Sequence, residues 1–195
     1  MRGNDYPGRH SHFRSKELKV LIHICCGPCA IYPLQTLRAE GFDVMGFFYR
    51  HNIQPYTECI KREQTLQAYA ETIDVKVIYQ KSYEPEGFFR NVAFRETERC
   101  RLCYQERLQT TAVLAKKGQF EAFTTTLLYS KYQKHDLIQS IGNSVGRSVG
   151  IPFYYADFRS GWKAGIAESK RLEMYRQPYC GCLFSEKERY FKKSL

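Results

Sequence analysis

The chain has 195 residues, with 30 Lys and Arg against 20 Asp and Glu, a formal net charge of +10, and 43% hydrophobic residues. That length and hydrophobic share suit one packed domain and exclude wholesale disorder, and no apolar run approaches the roughly 18 residues of a membrane helix. The positive balance favours an anionic partner, nucleic acid above all, although a basic surface that serves only solubility gives the same count.

In chain order, residues 1–16 (MRGNDYPGRHSHFRSK) are polar, basic and rich in turn formers, and predict a flexible arm ahead of a single α/β domain at 17–195. No apolar segment follows the early charges, so a cytoplasmic location is expected. Residues 19–24 (KVLIHI) form a short β-branched run that predicts a buried parallel strand. A helix is expected over 30–40, with Pro28 near its start and Gly41 stopping it. Further strands are expected at 42–49, 74–79, 121–126 and 152–156. Helices are expected at 58–73, up to Lys117 with Cys100 at its head, and at 135–149, 163–176 and 185–193. This alternation predicts a parallel sheet flanked by helices, with ligands at the carboxyl ends of the strands. The first strand would deliver Cys25, Cys26 and Cys29 to that edge, and the fourth would deliver Thr124, Thr125 and Thr126.

Eight cysteines are many for a chain held in a reducing compartment, where structural disulfides are rare. Cys100 and Cys103 are three apart, so they share one face of a helical turn and can reach one metal or one cluster; a buried structural pair is the alternative. In Cys25-Cys26-Gly27-Pro28-Cys29 the glycine permits an unusual turn, and Pro28 opens a helix whose N-terminus favours thiolates. Cys26 and Cys29 also read as a thioredoxin-like redox pair. In Cys180-Gly181-Cys182 the intervening glycine lets both sulfurs face one site. Together these are seven thiols, more than one zinc ion needs, whereas a four-iron cluster uses three or four and leaves some for a second metal. Cys59 stands alone and reads as a small buried hydrophobe.

Softer signals surround them. His23 lies inside a strand and reads as core or as support for a ligand, while His51 and Asn52 fall where a binding loop belongs. Residues 129–136 (YSKYQKHD) mix aromatic, basic and hydroxyl groups, which suits phosphate contact and base stacking or simply a solvated loop. Asp157-Phe158-Arg159 offers an acid or an orienting ion pair. There is no Ser-Gly-Gly-X-Asp-Ser pyrophosphate loop, Walker A motif or GxGxxG, and cysteines occupy the turn where such a loop would sit.

The segments HICCGPCA, ERCRLCYQERL, TTTLLYSKYQKHDLI, YYADFR and YRQPYCGCLFS together resemble the cobalamin-independent epoxyqueuosine reductases, the QueH family. The resemblance implies an architecture like the adenine nucleotide α-hydrolases (HUP-like), with metal at the strand edge. It implies the last step of tRNA queuosine biosynthesis, in which the epoxide of epoxyqueuosine at the wobble position is reduced to the alkene of queuosine. A 4Fe-4S cluster and a second metal ion, iron or zinc, are implied with it. The matching ligand candidates are Cys25, Cys26, Cys100, Cys103, Cys180 and Cys182, with Cys29 in the same motif. The partners implied are tRNA carrying epoxyqueuosine and a low-potential electron donor. The reaction takes two electrons and two protons and releases the oxygen as water; no organic cofactor motif is visible, so the electrons are expected through the cluster. Asp157, His135 and Tyr129 are the candidate proton donors. Three other readings stay open: an iron–sulfur-dependent tRNA thiolase, a zinc-bound RNA-binding module, and a thiol–disulfide oxidoreductase using Cys26 and Cys29.

Overall fold

The computed structural model describes residues 18–191, so the arm expected at 1–16 and the last residues of the expected end helix lie outside the described residues. Four parallel strands form one sheet in the order β3-β2-β1-β4: β1 Lys19–Ile24, β2 Asp43–Phe48, β3 Val77–Tyr79 and β4 Ala122–Thr125. β1 is central because its residues are apolar on both faces: Val20, Leu21, Ile22 and Ile24 are all fully buried. Each such side chain stabilises the fold by roughly 1.5–3 kcal/mol. Helices cover both faces: α1 Gly27–Ala39, α2 Tyr56–Thr72, α3 Glu86–Val92, α4 Arg99–Lys117, α5 His135–Val149, α6 Trp162–Arg171 and α7 Leu183–Tyr190.

Local chemistry sets most boundaries. α1 begins ahead of the expected helix because Pro28 sits in its first turn, where a missing N–H leaves no bond unmade. α5 buries Ile138, Ile141, Gly142, Val145 and Gly146, the one-sided spacing of an amphipathic helix, and ends at Gly150, whose φ of 75° is left-handed. α6 stops at Arg171, short of the expected 176, because Glu173 takes a left-handed φ of 51° and turns the chain.

The strand expected at 152–156 is not formed; one bridge between Phe123 and Phe153 stands in its place. Phe123 N donates to the Pro152 carbonyl at 3.0 Å and Tyr154 N donates to the Phe123 carbonyl at 2.8 Å, after which the segment leaves β4. Pro152 has no N–H for a ladder. The Phe153 ring packs onto Gly142, where a Cβ would lie 2.5 Å from it, and this holds the segment against α5 rather than along the sheet.

From β1 the chain builds outward to β2 and β3, then returns to place β4 on the other side of β1. The carboxyl ends of β1 and β4 therefore flank the crevice where the two halves diverge, the usual ligand position in an open parallel sheet. No helix among the described residues is long and apolar enough to cross a membrane.

Candidate metal centre

The turn after β1 gathers the Cys25, Cys26 and Cys29 thiols within 4.8 Å of one another, the only such set of three or more Cys, His or carboxylate ligands among the described residues. Cys26 caps α1 in extended conformation and Cys29 lies in the first helical turn, so the helix start folds the third sulfur back onto the first two. Gly27 makes this possible, since a Cβ there would lie 2.8 Å from the Met174 side chain and 3.1 Å from Thr65. Cys25 and Cys26 Sγ are 3.8 Å apart; two thiolates on one tetrahedral ion with ~2.3 Å bonds sit about 3.8 Å apart. From the end of β4, Thr126 Oγ1 accepts from Cys25 N at 3.2 Å and lies 3.5 Å from its sulfur. Gln177 Nε2 donates to Cys26 Sγ at 2.7 Å and reaches Cys29 Sγ at 3.5 Å. Hydrogen bonds from Cys26 and Cys29 pull the Cys25 thiol down although burial opposes it, while Cys26, mainly through burial, and Cys29, through its bonds to the other two sulfurs, are pushed up. One thiolate thus forms readily and makes the next ones harder, as expected for a ligand set shaped for a cation.

A second group joins the head of α4 to the segment before α7. Burial raises the Cys100, Cys103 and Cys180 thiols, and their neighbours add to it: Cys103 and Cys182 act on Cys100, Cys180 on Cys103, and Cys182 on Cys180. Gln133 Nε2 donates to Cys180 Sγ at 3.2 Å. These sulfurs are near enough to interact but lie outside the close set described above. A strap holds this segment in place. Arg62 of α2, 1% exposed, donates from Nη1 to the Cys180 carbonyl and from Nη2 to the Tyr179 carbonyl, both at 2.9 Å, and from Nε to Glu58 at 2.7 Å. Tyr175 donates to the other Glu58 oxygen at 2.5 Å, and Tyr179 Oη to the Gln54 carbonyl at 2.7 Å. Gly181 takes a φ of 136° directly over Arg62, a conformation that side chains rarely adopt.

Arg107 links the two groups. It is buried on α4 and donates from Nε to Cys103 Sγ at 3.2 Å, from Nη1 to His23 Nε2 at 3.1 Å and from Nη2 to the Asn52 carbonyl at 3.1 Å. Burial opposes its charge, but the Cys103 and Cys25 thiolates outweigh that and hold it protonated. Burial and then Arg107 press His23 down to about 3, so the imidazole is neutral. Because Arg107 donates to Nε2, the ring proton sits on Nδ1 and goes to Thr125 Oγ1 at 2.9 Å. Two buried acceptors beside the thiols, Asn52 Oδ1 and Gln177 Oε1, have no partner among the described residues.

Of the other residues singled out by sequence, Tyr129 borders the first thiol group, while His135 and Asp157 pair with each other. Tyr129 is buried, donates to the Trp162 carbonyl at 3.1 Å, and is raised well above the ordinary tyrosine range by burial and by the Cys29 and Cys26 thiolates. His135 Nε2 donates to the Leu128 carbonyl at 3.0 Å, lies 3.6 Å from Asp157, and receives the Tyr155 hydroxyl on Nδ1 at 3.5 Å. Hydrogen bonds from Arg159 hold Asp157 down at about 2. Cys59 is fully buried on α2, its thiol donating to the Arg50 carbonyl at 3.9 Å and raised to about 11 by burial. Arg62 and Glu58 escape the sequence reading. Arg107, Gln133 and Gln177 lie inside segments it singles out (ERCRLCYQERL, YSKYQKHD and YRQPYCGCLFS), Arg107 one helical turn after Cys103, but without the roles they take here.

The thiol-rich donor set fits a thiophilic metal or an iron–sulfur cluster. A protein-family profile described as Epoxyqueuosine reductase QueH matches residues 20–188. The epoxyqueuosine reductase QueH of Dehalococcoides mccartyi is 33% identical over 174 residues, covering 89% of this chain and 96% of its own. That of Thermotoga maritima is 34% identical over 180 residues, covering 87% of this chain and 91% of its own. Among solved structures, an A40926 pseudoaglycone deacetylase aligns with a TM-score of 0.43 and 12% identity over 69% of this chain and 61% of its own, a likeness too loose to decide anything. On the profile match and these relatives, the chain belongs to the epoxyqueuosine reductase QueH family.

Proposed function

We propose that this protein reduces the epoxide of epoxyqueuosine in tRNA to the alkene of queuosine, in the cytoplasm, as a single domain over residues 17–195. Family membership across most of the chain supports the reaction, and the observation that carries the chemistry is the gathering of the Cys25, Cys26 and Cys29 thiols at the switch point of the sheet, with Arg107 reaching from there to the second group of Cys100, Cys103, Cys180 and Cys182. The strand order, with the Phe153 bridge beside β4, supports an architecture of the adenine nucleotide α-hydrolase type, with thiols where those proteins hold a nucleotide.

Cys25, Cys26 and Cys29 would hold a single iron or zinc ion, since one ion needs its ligands close together. Cys100, Cys103, Cys180 and Cys182 would hold a 4Fe-4S cluster, in which each thiolate binds a different iron and the sulfurs stand further apart. When bound, the cluster supplies one-electron transfers from a low-potential donor and the single ion supplies Lewis acidity.

The chain's own residues position and supply protons. Arg107 balances the negative charge of both thiol groups and keeps His23 fixed as the Nδ1–H tautomer. Tyr129, a phenol throughout the neutral range, holds a proton beside Cys26 and Cys29. His135 carries a second proton on Nε2, and Asp157, ionised at neutral pH, orients it. The basic surface holds the tRNA.

Anaerobic purification with absorption spectroscopy and iron, sulfide and zinc analysis, followed by turnover of epoxyqueuosine-tRNA with a low-potential reductant, tests this reading. A brown protein with about four sulfides and product queuosine is expected. A colourless protein holding only zinc after reconstitution would overturn it.

A further inference from the structure

The loop at 130–134 rests on the second thiol group. Gln133 donates from Nε2 to Cys180 Sγ at 3.2 Å and accepts from Tyr104 Oη at 2.7 Å, and Lys134 N donates to the same hydroxyl at 3.2 Å. The Lys134 charge reaches Cys100. Between these anchors Tyr132 stands 85% exposed, flanked by the exposed side chains of Lys131 and Lys134. Its backbone is held by Ser130, through Tyr132 N to Ser130 Oγ at 3.3 Å and Gln133 N to the Ser130 carbonyl at 3.3 Å, so the loop does not depend on the ring. The ring meets Trp162 in a T-shaped pair, with centroids 5.7 Å apart at 77°. Trp162 in turn lies 5.2 Å from the buried Tyr129, which borders Cys26 and Cys29. Three aromatic rings thus step from solvent to the first thiol group. An exposed ring over a thiol-lined site, with a cation on either side, matches a nucleotide: a base has a π-face to stack and phosphates to pair.

We infer that Tyr132 stacks on a base of the tRNA anticodon loop at the mouth of the thiol site, and that Lys131 and Lys134 contact the phosphates flanking it. This rests on the tRNA reductase reading and names its RNA-gripping residues.

Trp162 is the only tryptophan, so its fluorescence reports directly on the neighbouring ring. Full-length protein is titrated with an anticodon stem-loop RNA at several salt concentrations. RNA is expected to change Trp162 emission. Tyr132→Ala is expected to weaken binding about tenfold, within the range of one stacked base, while Tyr132→Phe keeps it. Lys131→Ala and Lys134→Ala should each lower the slope of log affinity against log salt by roughly one. Lys117→Ala, at the far end of α4, should change neither. Unchanged affinity in Tyr132→Ala would overturn the inference, as would unchanged salt slopes in both lysine variants. So would an equal Tyr132-dependent signal from heparin, which has no bases. Tyr132-dependent RNA binding without turnover of epoxyqueuosine-tRNA would sink the reductase reading alone; turnover with Tyr132-independent binding would sink this inference alone.

Discussion

The two thiol groups are built by different means. Cys25, Cys26 and Cys29 come from five consecutive residues and are buried, so covalent spacing and one helix start bring them together. Cys100, Cys103, Cys180 and Cys182 come from distant segments and are less buried, so their meeting depends on packing. The first group takes all its thiols from the end of β1 and the start of α1 and meets the strap only through Gln177 and the Arg62 charge, whereas the second takes two of its thiols from the strapped segment itself. A local site survives damage to a remote contact, whereas an assembled site does not.

Cutting the strap should separate the groups most sharply. Arg62→Met leaves Glu58 buried without its cation and two carbonyls without a donor, so a loss of about 3–5 kcal/mol is expected in denaturant unfolding. Bound sulfide should fall severely while the Cys25 group still takes up one ion. Full sulfide in this variant would mean that the strap does not assemble the second group.

Tyr129→Phe should lower turnover by about a hundredfold, the scale of a lost proton donor, with metal content intact. Wild-type turnover would remove Tyr129 from the proton path.

Arg107→Met tests the link. Its loss leaves His23 Nε2 and the Asn52 carbonyl without their donor, which costs about 1–3 kcal/mol each in a buried setting. It also removes a positive charge beside Cys103, so the cluster potential read by redox titration should move to more negative values, with Arg107→Lys falling between. An unmoved potential would leave Arg107 with a packing role only.

Cys59→Ala should do least. The thiol is buried apart from both groups, so metal content should stay at the wild-type level and stability should drop by about 1 kcal/mol.

The same contrast explains what the sequence could tell. β1 and α5 are legible to the residue because their signals are local: a β-branched run in one, a one-sided apolar face closed by Gly150 in the other. The three clusters of candidate ligand cysteines are legible by spacing. The strand expected at 152–156 failed because Phe153 docks on Gly142, a contact made across the fold. Arg62 and Glu58 look like an ordinary solvated pair four apart on a polar helix; only the arrival of residues 175–182 buries them. The separation of the thiols into a close set and a wider one is likewise a tertiary fact.

Metal and sulfide analysis of an anaerobically purified Cys103→Ser/Cys180→Ser variant beside the wild type tests the two-group account most directly. The account predicts loss of sulfide and of the brown colour with about one metal ion retained per chain, as suits a three-thiol site. Retention of the sulfide with loss of the single ion would contradict it.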